Sequence, residues 1–123
     1  MKVTKKTIAL DFDGTCVAHD FPRLGADIGA VPVLKRLITN GHKIITFTMR
    51  SNDSENQALP EDQRTPEKDY LDHAVQWFKD NNIPLYGIQK HPTQHRWTSS
   101  PKCYAHLIID DTGLGIPLKE DST

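Results

Sequence analysis

The strongest constraint on how this chain can fold is the alternation of short apolar, β-prone runs with stretches of helical spacing. The run Thr7 to Phe12 (TIALDF) is too short for a helix and stops at Gly14, so it reads as a buried strand. Val31, Leu34, Leu37 and Ile38 then recur at helical spacing, Pro32 suits a first turn and Gly41 a helix end, which predicts a helix over 31–40. KIITFT (43–48) is a second strand. Thr65, Pro66 and Glu67 form a helix start, and Leu71, Ala74, Val75 and Phe78 continue its apolar stripe over 66–82. A third strand falls at 83–88, placed at a sheet edge because Pro84 lacks a backbone donor, and a short last strand at 106–109 (HLII). Residues 51–65 are polar and without periodicity, which reads as a long exposed loop, and 90–102 is irregular and basic. This order predicts an α/β fold with a mainly parallel sheet and right-handed crossovers.

At 123 residues, 37% of them hydrophobic, the chain suits one domain spanning 1–123. A net charge of -1 gives no long-range field to gather nucleic acid, so any polyanion site must be local. Cys16 and Cys103 lie far apart with no CxxC, the apolar part of MKVTKKTIAL is too short for a signal peptide, and no segment approaches a membrane span of about 20 residues. The expectation is a reduced, cytoplasmic protein. Near the end, Ile116 to Leu118 are expected to tuck against the core and the acidic final residues to fray.

In parallel α/β sheets ligands bind beyond the carboxyl ends of the strands. Asp11 and Asp13 end the first strand, Thr48 the second, and Asp110 with Asp111 the last, so groups scattered along the chain are expected to meet at one sheet edge. Converging carboxylates need a shared positive charge, and an oxygen-only cluster suits Mg2+, which keeps several waters and takes up substrate phosphate. With that charge screened, one Asp can attack phosphorus while a second protonates the leaving oxygen and later activates water. Thr48 as a hydroxyl and Lys102 as a point cation would serve the phosphoryl oxygens.

The string Asp11-Phe12-Asp13-Gly14-Thr15 after an apolar strand resembles the DxDx(T/V) first motif of the haloacid dehalogenase-like (HAD) phosphohydrolases. Thr48 is similar to the family's second motif, Lys102 to the third-motif lysine, and Asp110-Asp111 after HLII to the acidic fourth motif, all in the family's order over residues 7 to 111. The resemblance implies a Rossmann-like three-layer sandwich with strand order 3-2-1-4 and no large cap. It further implies an aspartyl-phosphate intermediate on Asp11 and general acid/base work by Asp13. Mg2+ would be held by Asp11, the main-chain carbonyl of Asp13 and Asp110, with Asp111 one shell further out or acting through water. Dehalogenases of the superfamily lack an acid at the position of Asp13, so phosphoryl transfer is favoured over carbon–halogen cleavage. The missing cap implies either a bulky or macromolecular phosphate as substrate or closure of the site by a homo-oligomer.

Lys90, directly after a strand, competes with Lys102 for the third-motif role. Arg50, just past the second strand, is placed either at a substrate phosphate or simply in solvent. His91 and His95 are four apart, but Pro92 argues against a helix there and no third ligand is near, which disfavours zinc. Lys90, His91, His95, Arg96 and Trp97 form either a substrate lip, with Trp97 stacking a base and Arg96 meeting phosphate, or an exposed basic loop. Three functions follow: a Mg2+-dependent phosphatase acting on a phosphorylated small molecule, a nucleic-acid end-processing phosphatase, and a non-catalytic metal-binding module serving as a subunit or regulator.

Overall fold

The computed structural model describes residues 4–64 and 68–113. β1 (Thr7–Leu10) is buried along its whole length because both of its faces are covered, as the unbroken apolar run requires. α1 (Ala30–Thr39) starts where the Asp27 carboxylate accepts from the N–H groups of Gly29 and Ala30, and it stops at Gly41, whose φ of +86° closes the C-terminal turn. β2 (Lys43–Thr46) follows, then the short α2 (Asp53–Gln57), α3 (Tyr70–Asp80), β3 (Gly87–Ile88) and β4 (Leu107–Ile109). All four strands are parallel, in the order β3-β2-β1-β4. The expected order and the edge position of the third strand are therefore observed.

Register divides the side chains into two layers. Ile8, Leu10 and Ile44 share one face of the sheet and pack with Leu34 of α1 and Ala74 and Phe78 of α3. Ala9 and Ile45 point to the other face, where Cys103, Phe47, Tyr86 and Ala105 cover them. The topology dictates this split. Steps from β1 to β2 to β3 run in one direction, so right-handed crossovers put α1 and α3 on one face; the return from β3 to β4 runs the other way and must cross the opposite face. That return is made by residues 89–106, which hold one 3-10 turn (Gln94–Arg96) and no α-helix. The sheet thus lies between a helical layer and an irregular one.

The irregular layer is organised by Gln94, a buried amide. Its Oε1 accepts from the N–H groups of His91 and Tyr104, and its Nε2 donates to the carbonyl of Lys102. Three backbone groups of the irregular layer are thus tied together by one buried side chain.

Two expectations need correction. Residues 51–65 are not a plain loop: α2 and a 3-10 turn (Glu61–Gln63) form there. The Asn52 N–H donates to the Glu55 carboxylate, while the Asn52 side chain exchanges hydrogen bonds with Asp72, which ties α2 to the start of α3. The third strand is shorter than 83–88, since only Gly87 and Ile88 pair with β2. Thr65, Pro66, Glu67 and the segment Ile116 to Leu118 lie outside the described residues. Among the described residues no helix is long and apolar enough to cross a membrane.

Candidate metal and phosphate site

β1 and β4 are neighbours on either side of the point where strand order reverses, so the residues just past their carboxyl ends face one crevice. Asp11 leaves β1 with its N–H still donating to the Ile109 carbonyl, and the chain then turns sharply as the Phe12 carbonyl accepts from Thr15 and Cys16. Gly14 makes that turn at φ +86°, and a Cβ there would fall 2.2 Å from His19 Nε2 and 2.4 Å from Asp111 Oδ2. Glycine is what allows the first and last strand ends to close on each other.

Asp11, Asp110 and Asp111 each present an oxygen within 4.8 Å of the others. Thr15 joins the two strand ends: its hydroxyl donates to Asp11 Oδ2 at 3.0 Å and accepts from the Asp111 N–H at 3.0 Å. Asp110 accepts from the N–H and hydroxyl of Thr112. His19 reaches in from the 18–29 segment and meets Asp111 at 2.7 Å. Burial pushes the Asp11 carboxyl up to about 7; the Thr15 hydroxyl opposes this, while the hydrogen bond to Asp111 and the charge of Asp110 reinforce it. Asp111 moves the other way: burial would raise it, but hydrogen bonds with His19, Asp11 and Asp110 prevail and hold it below the usual carboxylate value. Three acids whose oxygens converge in this way form a donor set suited to a hard divalent cation, and the all-carboxylate chemistry fits Mg2+.

A cavity of about 450 Å³ is lined by Asp11, Asp13, His19, Thr48, Asp110 and Asp111, with Met49 and Thr112. Two larger hollows, about 700 and 500 Å³, carry no carboxylate, so donor chemistry and not size marks the site. Thr48 lies beyond the end of β2 and is fixed by Gln89, whose side-chain amide accepts from the Thr48 N–H and donates to its carbonyl. The Thr48 hydroxyl accepts from the Arg50 N–H, leaving its own proton for a ligand in the cavity.

The remaining expected residues are placed differently. The Asp13 side chain is not part of the three-carboxylate group; both its oxygens accept from Arg50, at 2.7 and 2.8 Å. Arg50 itself is only 2% exposed, so the reading of this residue as a phosphate contact or a solvated surface charge is corrected to a buried ion pair. A lone arginine after a strand reads as exposed, and nothing local signals its burial; Gln89 is equally silent, since it bonds Thr48, 41 residues away, and Gln94 because its partners are backbone groups of a segment without periodicity. Lys102 lines a separate cleft of about 270 Å³ with Trp97 and Tyr104, which shares no residue with the carboxylate cavity. Lys90 and Arg96 are exposed and line neither hollow. Trp97 is 62% exposed, its ring edge-on to Tyr104, and is not folded onto the core.

An all-parallel four-stranded α/β sheet with a carboxylate cluster at its switch point defines the structural class. No family model and no curated protein matches the chain. The solved structure of a conserved protein from Bacteroides thetaiotaomicron is 33% identical, with a TM-score of 0.71, covering 91% of this chain and 80% of that one. The chain belongs to the family of that conserved protein.

Proposed function

We propose that this protein is a Mg2+-dependent phosphohydrolase of the HAD-like type that cleaves phosphomonoesters. The observation that carries the reading is that Asp11 belongs both to the three-carboxylate group and to the cavity lined by Thr48 and Asp13. In this reading an Asp11 oxygen attacks phosphorus as the bond to the leaving oxygen breaks. That oxygen keeps the electron pair and takes a proton from Asp13. Water then attacks the aspartyl phosphate and gives a proton to Asp13, and the electron pair of the broken P–O bond returns to Asp11. Asp110 and Asp111, with Asp11 and the Asp13 carbonyl, would hold Mg2+, whose charge offsets those of the carboxylates and the phosphoryl group. Thr48 would donate its hydroxyl to a phosphoryl oxygen. For the substrate we favour a phosphorylated small molecule over a nucleic-acid end, because Lys90, Arg96 and Trp97 stand off the cavity. Two buried free cysteines suit a reduced, cytoplasmic setting.

Phosphate release from a panel of phosphomonoesters is expected to require Mg2+ and to vanish in Asp11→Asn; activity retained in that variant would remove the mechanism. The second reading, a metal-binding module without turnover, is favoured by one observation, that the three clustered carboxylates come together without the Asp13 side chain. Mg2+ binding with no release from any ester would select it.

A further inference from the structure

Arg50 is the most deeply buried charge among the described residues, and its surroundings are unusually complete. A guanidinium has five N–H donors. Here Nε donates to Asp13 Oδ2, Nη2 to Asp13 Oδ1 and the Arg23 carbonyl, and Nη1 to the carbonyls of Pro22 and Tyr70. The plane is stacked between Phe12 and Phe21, with its carbon 5.2 and 5.1 Å from the two ring centres. No donor is left over for a phosphate. The Arg50 side chain is 1% exposed, whereas that of Asp13 is 15% exposed and borders the cavity. The guanidinium thus fastens the Asp13 carboxylate to the 20–24 segment and the start of α3 while leaving part of it open to the crevice.

We propose that Arg50 is a positioning residue for Asp13: its five-bond clamp fixes that carboxyl group, which in its acid form protonates the departing oxygen and is reprotonated by the attacking water, so cleavage of esters with poor leaving groups depends on Arg50. The inference rests on the phosphohydrolase reading. Only a planar fork can meet both carboxylate oxygens and three carbonyls together; a lysine brings the same charge on a single point and cannot. Misplacing an acid by about 1 Å is enough to cost roughly two orders of magnitude in rate. The step affected is the first one, in which the P–O bond breaks, its electron pair goes to the leaving oxygen, and the Asp13 proton follows. A nitrophenolate departs as an anion and needs little of that proton, whereas an alkoxide needs it fully.

The test compares kcat/KM, which reports this first step, for p-nitrophenyl phosphate and glycerol phosphate in Mg2+. Arg50→Lys is expected to lower the value for the alkyl ester about 100-fold or more, the usual scale of general acid catalysis, and for the aryl ester by less than about 10-fold. In an Asp13→Asn background the same substitution is expected to add nothing. Mg2+ affinity should stay within about threefold, because the Asp13 side chain is not one of the three clustered carboxylates. Equal losses on the two esters, or additive losses with Asp13→Asn, would overturn the role. If Arg50→Lys does not fold, Phe21→Ala removes one covering ring from a residue that is 56% exposed; it is expected to show the same split at smaller size, and an even loss would again overturn the role. A wild type that cleaves neither ester refutes the function and the role together, whereas a wild type that cleaves both with even losses in the variants refutes the role alone.

Discussion

Removing one carboxylate from the cluster should make the metal-free protein more stable. Asp110→Asn keeps an oxygen to accept from the Thr112 N–H and hydroxyl, so the substitution changes charge and little else. With the oxygens within 4.8 Å, each like-charged pair repels by about 3.5 kcal/mol at an effective dielectric near 20. Partial exposure and ordinary salt reduce that to about 1 kcal/mol. In a domain of this length that gain corresponds to a rise in Tm of about 3–5 °C. The assay is thermal unfolding at pH 8, above the raised value of Asp11, with chelator and then with excess Mg2+. Wild type should gain about 2.7 kcal/mol at a cation concentration 100 times its Kd, and Asp110→Asn much less, so the order of stability reverses on adding metal. A variant that is less stable without metal, or that gains as much from Mg2+ as wild type, would refute the reasoning that these acids are held together for a cation.

Two further outcomes are expected. In chelator, stability should fall as pH rises from about 4 to about 7. Asp11, raised from 3.8 to about 7 by burial, retains a proton in the folded state that the unfolded chain has already released. Because its site is only partly buried and open to the cavity, the loss is discounted to about 1–2 kcal/mol. Urea midpoints against pH read this, saturating Mg2+ should flatten the slope, and a midpoint that climbs through the interval would contradict it. Gln94→Leu keeps the volume but strands the His91 and Tyr104 N–H groups and the Lys102 carbonyl, which should cost about 2–4 kcal/mol in urea unfolding while leaving the Mg2+-induced Tm shift intact.

The sheet and the cluster were legible because they depend on local pattern. A buried strand must be apolar throughout, an acid that ends it must lie at its carboxyl edge, and Gly14 announces the turn between them. The 31–40 helix was placed within one residue at each end because Pro32, Asn40 and Gly41 punctuate it. Helix α2 was missed since its five residues have no apolar stripe, although Asn52 and Glu55 stand at capping-box spacing and offered a signal. The irregular crossing and the burial of Arg50 were beyond reach for another reason. Both are decided by side chains that answer backbone groups at spacings no local pattern announces: Arg50 bonds Pro22, 28 residues distant, and Gln94 bonds Tyr104, 10 residues on, within a segment that has no periodicity.

The pairing of β1 with β4 gives the cavity a history as well as a shape. Thr15 meets Asp111 across 96 residues, and the last strand settles against the first only once the whole intervening chain has been threaded over both faces of the sheet. Contacts of such long range form late, because the loop they close must first be ordered. A folding intermediate holding β1, β2 and both helices would carry Asp11 and Thr48 yet lack two of its three carboxylates. On the proposed function, the cation site would therefore be complete only once β4 has joined β1, and cation affinity would report on the finished molecule.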